Sequence, residues 1–192
     1  MYVAIEVWKG SFMNYTREEA VNKLLQSYEV YYNIHKSEEL ETSDEALIAR
    51  CDFYEHSQKY VLSKKAELWS ADCEEFVYIF SVDKLTLDTY NRCKDFAYDD
   101  GMSRASIGPG HMYTYITPLF VCDSYDEEAV KALKKCNLYK SFRFSLHGWM
   151  DVHVAVLEVN TNKIFTNRSG RRVEKVLKNV LFNTKKKRRL FT

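Results

Sequence analysis

The alternation from Ser141 to Val159, SFRFSLHGWMDVHVAVLEV, constrains the fold of this chain more than any other stretch. Phe142, Phe144, Leu146, Gly148, Met150, Val152, Val154 and Val156 take its even positions, and Arg143, Ser145, His147, Trp149, Asp151 and His153 the odd ones. Successive side chains of a strand point to opposite faces, so a period of two predicts β-structure with one face on a core and the other turned outward. Most strands run roughly 3–10 residues, so the stretch either bends at Gly148 or reverses there. A three-residue turn at His147-Gly148-Trp149 sets Leu146 opposite Met150, Phe144 opposite Val152 and Phe142 opposite Val154. A two-residue His-Gly turn would face Phe144 with Asp151, against the hydrophobic pattern. The three-residue hairpin is therefore the expectation, and it gathers Arg143, Ser145, Asp151 and His153 on its outer face.

That outer face is a candidate site. Asp151 and His153 stand two apart on one strand face, their Cα atoms about 6.7 Å from each other. The spacing suits two ligands of one metal, or a carboxylate orienting an imidazole, but a third ligand is needed and the sequence names none. An ordinary solvated face with an Arg–Asp ion pair across the hairpin is the simpler reading, since antiparallel sheets commonly expose one polar face.

The rest of the chain supplies helices and further strands. Thr16-Arg17-Glu18-Glu19 is a capping box, with Thr16 as N-cap and Glu19 at N3, and opens a helix over about 17–32. Residues 46–55, 60–70 and 75–82 read as a meander, the last, EFVYIFSV, as a central strand. A helix over about 87–100 starts at Thr86 and stops at Gly101. His111 follows the turn Ile107-Gly108-Pro109-Gly110, either as a functional residue or simply as a loop end. Residues 112–122 form a strand in which Pro118 marks an edge or a bulge. Ser124-Tyr125-Asp126-Glu127 reads as a second capping box, for a helix to about Lys135. A strand over 163–166 and a helix over about 172–181 close the fold. The order α-βββ-α-β-α-βββ-α predicts an α+β fold: a single mixed, largely antiparallel sheet with helices packed on at least one face. Residues 13–182 are read as a single domain. Lys9-Gly10-Ser11 can be written in purine-rich codons that resemble a bacterial ribosome-binding site, so residues 1–12 are read as an over-extended start and Met13 as the initiator.

Charge is distributed unevenly. Residues 163–192 carry 11 Lys/Arg against the single acid Glu174, leaving 17 Lys/Arg against 26 Asp/Glu in residues 1–162. The basic arm Lys185, Lys186, Lys187, Arg188 and Arg189 can neutralise phosphates of nucleic acid or lie on an acidic partner. It can equally be a solvated tail, and no aromatic residue interrupts it for base stacking. The five cysteines are odd in number, widely spaced and without a CxxC pair, which points to buried thiols in a reducing, cytoplasmic setting. No apolar run approaches the roughly 18 residues of a membrane span, and residues 1–12 lack a secretory apolar region.

Catalytic signatures are missing. The chain has no Gly-x-Ser-x-Gly elbow, and Gly108-Pro109-Gly110 matches neither a dinucleotide nor a phosphate loop. No motif calls for a cofactor or a resident metal, and none is expected. In element order, the run from helix 17–32 to strand 112–122 is similar to the α-βββ-α-β core of restriction-endonuclease-like nucleases. That family's motif places an acid early in the second strand and Glu-x-Lys on the third. This chain offers Asp52 on the first predicted strand and Glu67 in Glu67-Leu68-Trp69, which lacks the lysine. The expectation is thus a binding or interaction module without a recognisable catalytic motif, with self-association through its aromatic-rich sheet as one mode. The alternatives are a metal-dependent hydrolase or nuclease using Asp151 and His153, and a nucleic-acid accessory protein working through the basic arm.

Overall fold

The computed structural model describes residues 15–40, 42, 44–60 and 67–182, with 58–60 and 67–70 as backbone only. The readings on residues 1–12, on Met13 as initiator and on the arm Lys185 to Arg189 lie outside the described residues.

The fold is α+β: four helices and one open, mixed, mostly antiparallel sheet of eight strands among the described residues. Helix α1 (Arg17–Tyr28) opens with the expected capping box, Thr16 Oγ1 accepting from the Glu19 amide and Glu19 Oε2 from the Thr16 amide. It ends before Tyr32 because the chain turns into a short edge strand, β1 (Asn33–Lys36), whose four residues Asn-Ile-His-Lys are too few to show an alternation. The predicted meander 46–82 is two long strands, not three: β2 (Leu47–Tyr60) and β3 (Glu67–Leu85), paired antiparallel. Asp52 therefore lies on the second strand, not the first.

Helix α2 (Leu87–Arg104) starts at Thr86 as expected but runs through Gly101. That glycine is a packing device and not a stop. A Cβ there would lie 2.8 Å from Ile116 Cδ1, so only glycine lets the helix sit this close to the sheet. Strand β4 (His111–Tyr125) follows, parallel to β3, and extends through the supposed second capping box. Asp126 is the N-cap of α3 (Glu127–Lys135), without a side-chain capping bond.

The expected hairpin is corrected in register. Strand β5 (Tyr139–Ser141) pairs antiparallel with β6 (Trp149–Val152), Tyr139 facing Asp151 and Ser141 facing Trp149. Residues 142–148 are loop, closed by the Phe142 amide on Gly148 O and the His147 amide on Phe142 O. Arg143, Phe144 and Ser145 there take φ of 45°, 54° and 67°, a left-handed turn that ends the strand alternation. Phe144 is wholly exposed at 101% and Leu146 at 79%. The slip from the expected register is an even number of residues, so faces are preserved, and Phe142 still packs on the core it was assigned to.

Beyond β6 the same extended segment continues as β7 (Ala155–Glu158), antiparallel to β8 (Lys163–Thr166), and α4 (Arg171–Leu181) is the last of the described elements. Both β6 and β7 run parallel to β4, on its first and second halves. The break at His153-Val154 lies opposite Thr117-Pro118, where proline has no amide to give the ladder. Pro118 thus sits in a central strand, with the sheet opened beside it rather than ended. Asn167 fills the gap: its Oδ1 accepts from the Val154 and Gly170 amides, and its Nδ2 donates to the carbonyls of Val152 and Cys136.

Helices cover both faces of the sheet. Phe76, Tyr78, Phe80, Ile116, Phe120, Met150, Val152 and Val154 pack with Tyr90, Cys93 and Ala97 of α2 and Ala129 and Leu133 of α3. On the other side, Val77, Ile79, Leu119, Val121 and Leu157 meet Ala20, Val21 and Leu24 of α1 and Val173, Leu177 and Leu181 of α4. The expected solvated outer face of the 141–159 segment is thus covered only from His153 onward, while Arg143 and Ser145 stay exposed.

Candidate functional site

Asp151 and His153 share the α1/α4 face, as the alternation requires, but Arg143 and Ser145 do not join them. Those two lie on the 142–148 loop, exposed, with Ser145 Oγ 3.0 Å from Ser141 Oγ. Tyr139, not Ser145, stands opposite Asp151.

His153 is 6% exposed and lies at the strand break, its amide donating to Ile116 O. Its Nε2 is 3.6 Å from Asp151 Oδ2, an electrostatic contact longer than a hydrogen bond. Asp151 Oδ1 is buried and has no hydrogen-bond partner among the described residues. The imidazole packs against Tyr115 at 4.3 Å between ring centroids, tilted by 37°, and Tyr115 stacks on Tyr113 at 4.2 Å. Burial lowers the His153 pKa; Asp151 pulls it back up and Arg172 pushes it down again, leaving it below the ordinary histidine value. The ring is therefore neutral at pH 7 and can donate at one nitrogen and accept at the other.

This imidazole lines a pocket of about 240 Å³ between the C-terminal end of α1 and the outer half of α4. That is the size of a small organic molecule, just under the roughly 300–1,000 Å³ of ordinary ligand pockets. Tyr28, Tyr31 and Tyr32 wall one side, Val173, Val176 and Val180 of α4 another, and Glu75, Tyr115 and Thr117 of the sheet form the floor with His153. Glu75 Oε2 accepts a 2.7 Å bond from the Tyr32 hydroxyl. Burial first, then the Glu75 carboxylate, raises the Tyr32 pKa far above its ordinary value, so the hydroxyl stays a donor. Arg172 lines the pocket from α4 and has no ion-pair partner among the described residues. Sequence reasoning found His153 and Asp151. It missed Glu75, Tyr32, Tyr115 and Arg172, which meet only once the helices fold over the sheet.

Two further polar constellations lie on the α2 face. Arg50 Nε and Nη2 hold both Asp52 oxygens at 2.8 and 3.1 Å, and Arg50 Nη1 reaches Asp100, which also accepts from Tyr78 and Arg104. Asp52 is thereby committed to a buried ion pair, which leaves the nuclease-like element order without its chemistry. His111 is no free loop end. Its Nδ1 meets His147 O at 2.8 Å and its Nε2 meets Thr114 Oγ1 at 2.8 Å, while the Thr114 hydroxyl donates to Glu74. This chain ties the 142–148 loop to the start of β4.

No group of three or more His, Cys, Asp or Glu side chains placed to hold a metal exists among the described residues, so Asp151 and His153 gain no third ligand. All five cysteines are free, and burial lifts the Cys51, Cys93 and Cys122 thiols to about 12, which keeps them protonated. Among the described residues no helix is long and apolar enough to cross a membrane.

A small α+β domain with helices on both faces of its sheet and a tyrosine-walled pocket under two of them is the class this geometry defines. The chain belongs to the family described as Domain of unknown function (DUF8052), whose model matches residues 16–179, from the cap of α1 into α4. No curated protein and no solved structure matches it.

Proposed function

We propose that the chain is a binding module that takes a small organic ligand in the pocket between α1 and α4. The observation that carries this reading is His153: a buried imidazole at the floor of a cavity whose walls are tyrosine and valine. Apolar walls with a few convergent polar groups are the usual make-up of a ligand site. The residues supply recognition groups and no nucleophile, so binding without turnover is the fitting activity. The free thiols suit a reducing compartment such as the cytoplasm.

The test is an NMR titration of methyl- and histidine-labelled protein with two uncharged probes, phenol and isoamyl alcohol. Saturable shifts at the Val173 and Val176 methyls and the His153 ring are expected, and they should vanish in Val176→Trp, which plugs the mouth. Absence of saturation, or equal shifts in the plugged variant, would overturn the reading.

One observation favours a second reading. The exposed residues of α4 include Arg171, Arg172, Lys175 and Lys178, which extend the basic character of the C-terminal segment back onto the folded body. That surface fits an anionic polymer. Binding to a single-stranded oligonucleotide that falls steeply with salt and is lost on removing residues 183–192 would support it. Salt-independent binding, or none, would dispose of it.

A further inference from the structure

The charges around the pocket are opposite and lie on different layers. Glu75 rises from β3 in the sheet, whereas Arg172 projects from α4; Asp151 does not line the pocket but lies 3.6 Å from His153 Nε2. A ligand with only a negative charge would gain Arg172 but meet Glu75. A purely cationic ligand would gain Glu75 and the tyrosine faces, which attract cations through their ring quadrupoles, but meet Arg172. Burial raises the Tyr115 pKa and lowers that of His153, and the Arg172 charge, felt inside the site, opposes the first shift and adds to the second. A molecule carrying both charges satisfies both layers at once. The cavity, at about 240 Å³, has room for little more than such a head and one branched or aromatic side chain against Val173, Val176 and Tyr28.

We infer that the ligand is a small zwitterion of the amino-acid type, its ammonium turned to Glu75 and the tyrosines, its carboxylate to Arg172, and its apolar side chain to the valines of α4. This rests on the ligand-pocket reading above. Glu75 retains acceptor capacity for the ammonium while holding the Tyr32 hydroxyl, because a carboxylate accepts at both oxygens. Neutral His153 then serves as a hydrogen-bonding floor between the two charges and adds no third.

Three probes of one carbon skeleton separate the charges: L-leucine, 4-methylpentanoate, which lacks the ammonium, and isoamylamine, which lacks the carboxylate. Calorimetric titration of the full chain at low salt should show leucine binding at least about tenfold tighter than either, one charge-assisted contact each. Arg172→Gln should bring leucine down to the level of the amine, and Glu75→Gln to that of the acid, with thermal midpoints confirming that both variants fold. If the acid or the amine binds as tightly as leucine, the zwitterion is refuted while phenol and isoamyl alcohol still saturate the pocket. If none of the charged or uncharged probes saturates, the pocket reading falls with it.

Discussion

Pro118 and Asn167 shape the site more than several residues that touch it. Proline withholds one ladder donor in the middle of β4, the neighbouring strand parts at His153-Val154, and the Asn167 amide satisfies the backbone groups set free. Asn167→Ala would strand buried amides and carbonyls at once, so a loss of at least about 2 kcal/mol is expected in urea unfolding; a loss under about 0.5 would contradict this role. His153 gives a pH signature. Its folded pKa lies below the unfolded value of 6.5, so below that pH the unfolded chain binds a proton that the folded chain refuses. The His153 contribution to stability is complete above pH 6.5 and is lost as the pH falls through the folded pKa. His153→Asn should therefore flatten the stability profile below pH 6.5; a profile parallel to the parent, or steeper, would show that the ring is not held neutral. At this scale the sequence was partly legible. Alternation put Asp151 and His153 on one face, yet nothing in it could reveal that Pro118 lies in a central strand beside a gap.

Among the elements, the 142–148 loop shows where period-two reading stops working. Phe144 and Leu146 continue the apolar pattern, but three successive left-handed residues lift them off the sheet into water. An alternating pattern states which face a residue would take in a strand, not where the strand ends. Phe144→Ser is accordingly expected to shift stability by no more than about 0.5 kcal/mol, and a loss above about 1 kcal/mol in the same urea assay would restore the longer hairpin. Gly148→Ala should behave oppositely. Gly148 has φ +67°, and a Cβ there would stand 2.3 Å from Met112 O and 2.6 Å from His111 O. A destabilisation of more than about 1 kcal/mol is expected; a neutral outcome would mean that the loop can leave β4 freely. Helix starts were readable where a side chain makes the cap, as at Thr16 and Thr86. They were misread at Ser124, where pairing with β3 carries β4 onward to Tyr125.

For the molecule as a whole, the sheet is the frame and the two helix layers decide what is accessible. The order of elements was legible because capping boxes and periodic runs are local signals. Which helix lies on which face is not local, and that is what creates the pocket: Tyr28 and Tyr32 come from the first helix and its exit, Arg172 from the last, and Glu75 and His153 from strands between. Packing across such separations leaves no pattern in neighbouring residues. The central claim is that α1 and α4 close over a ligand site rather than a merely imperfect seam. The most direct measurement is the NMR titration of labelled protein with L-leucine, following the His153 imidazole and the Val173 methyls together. Both should move and saturate with one dissociation constant, and Arg172→Gln should weaken the binding. Signals that stay still with leucine, or that drift linearly with concentration at scattered surface positions, would refute the zwitterion, and the same outcome with phenol and isoamyl alcohol would overturn the ligand site itself.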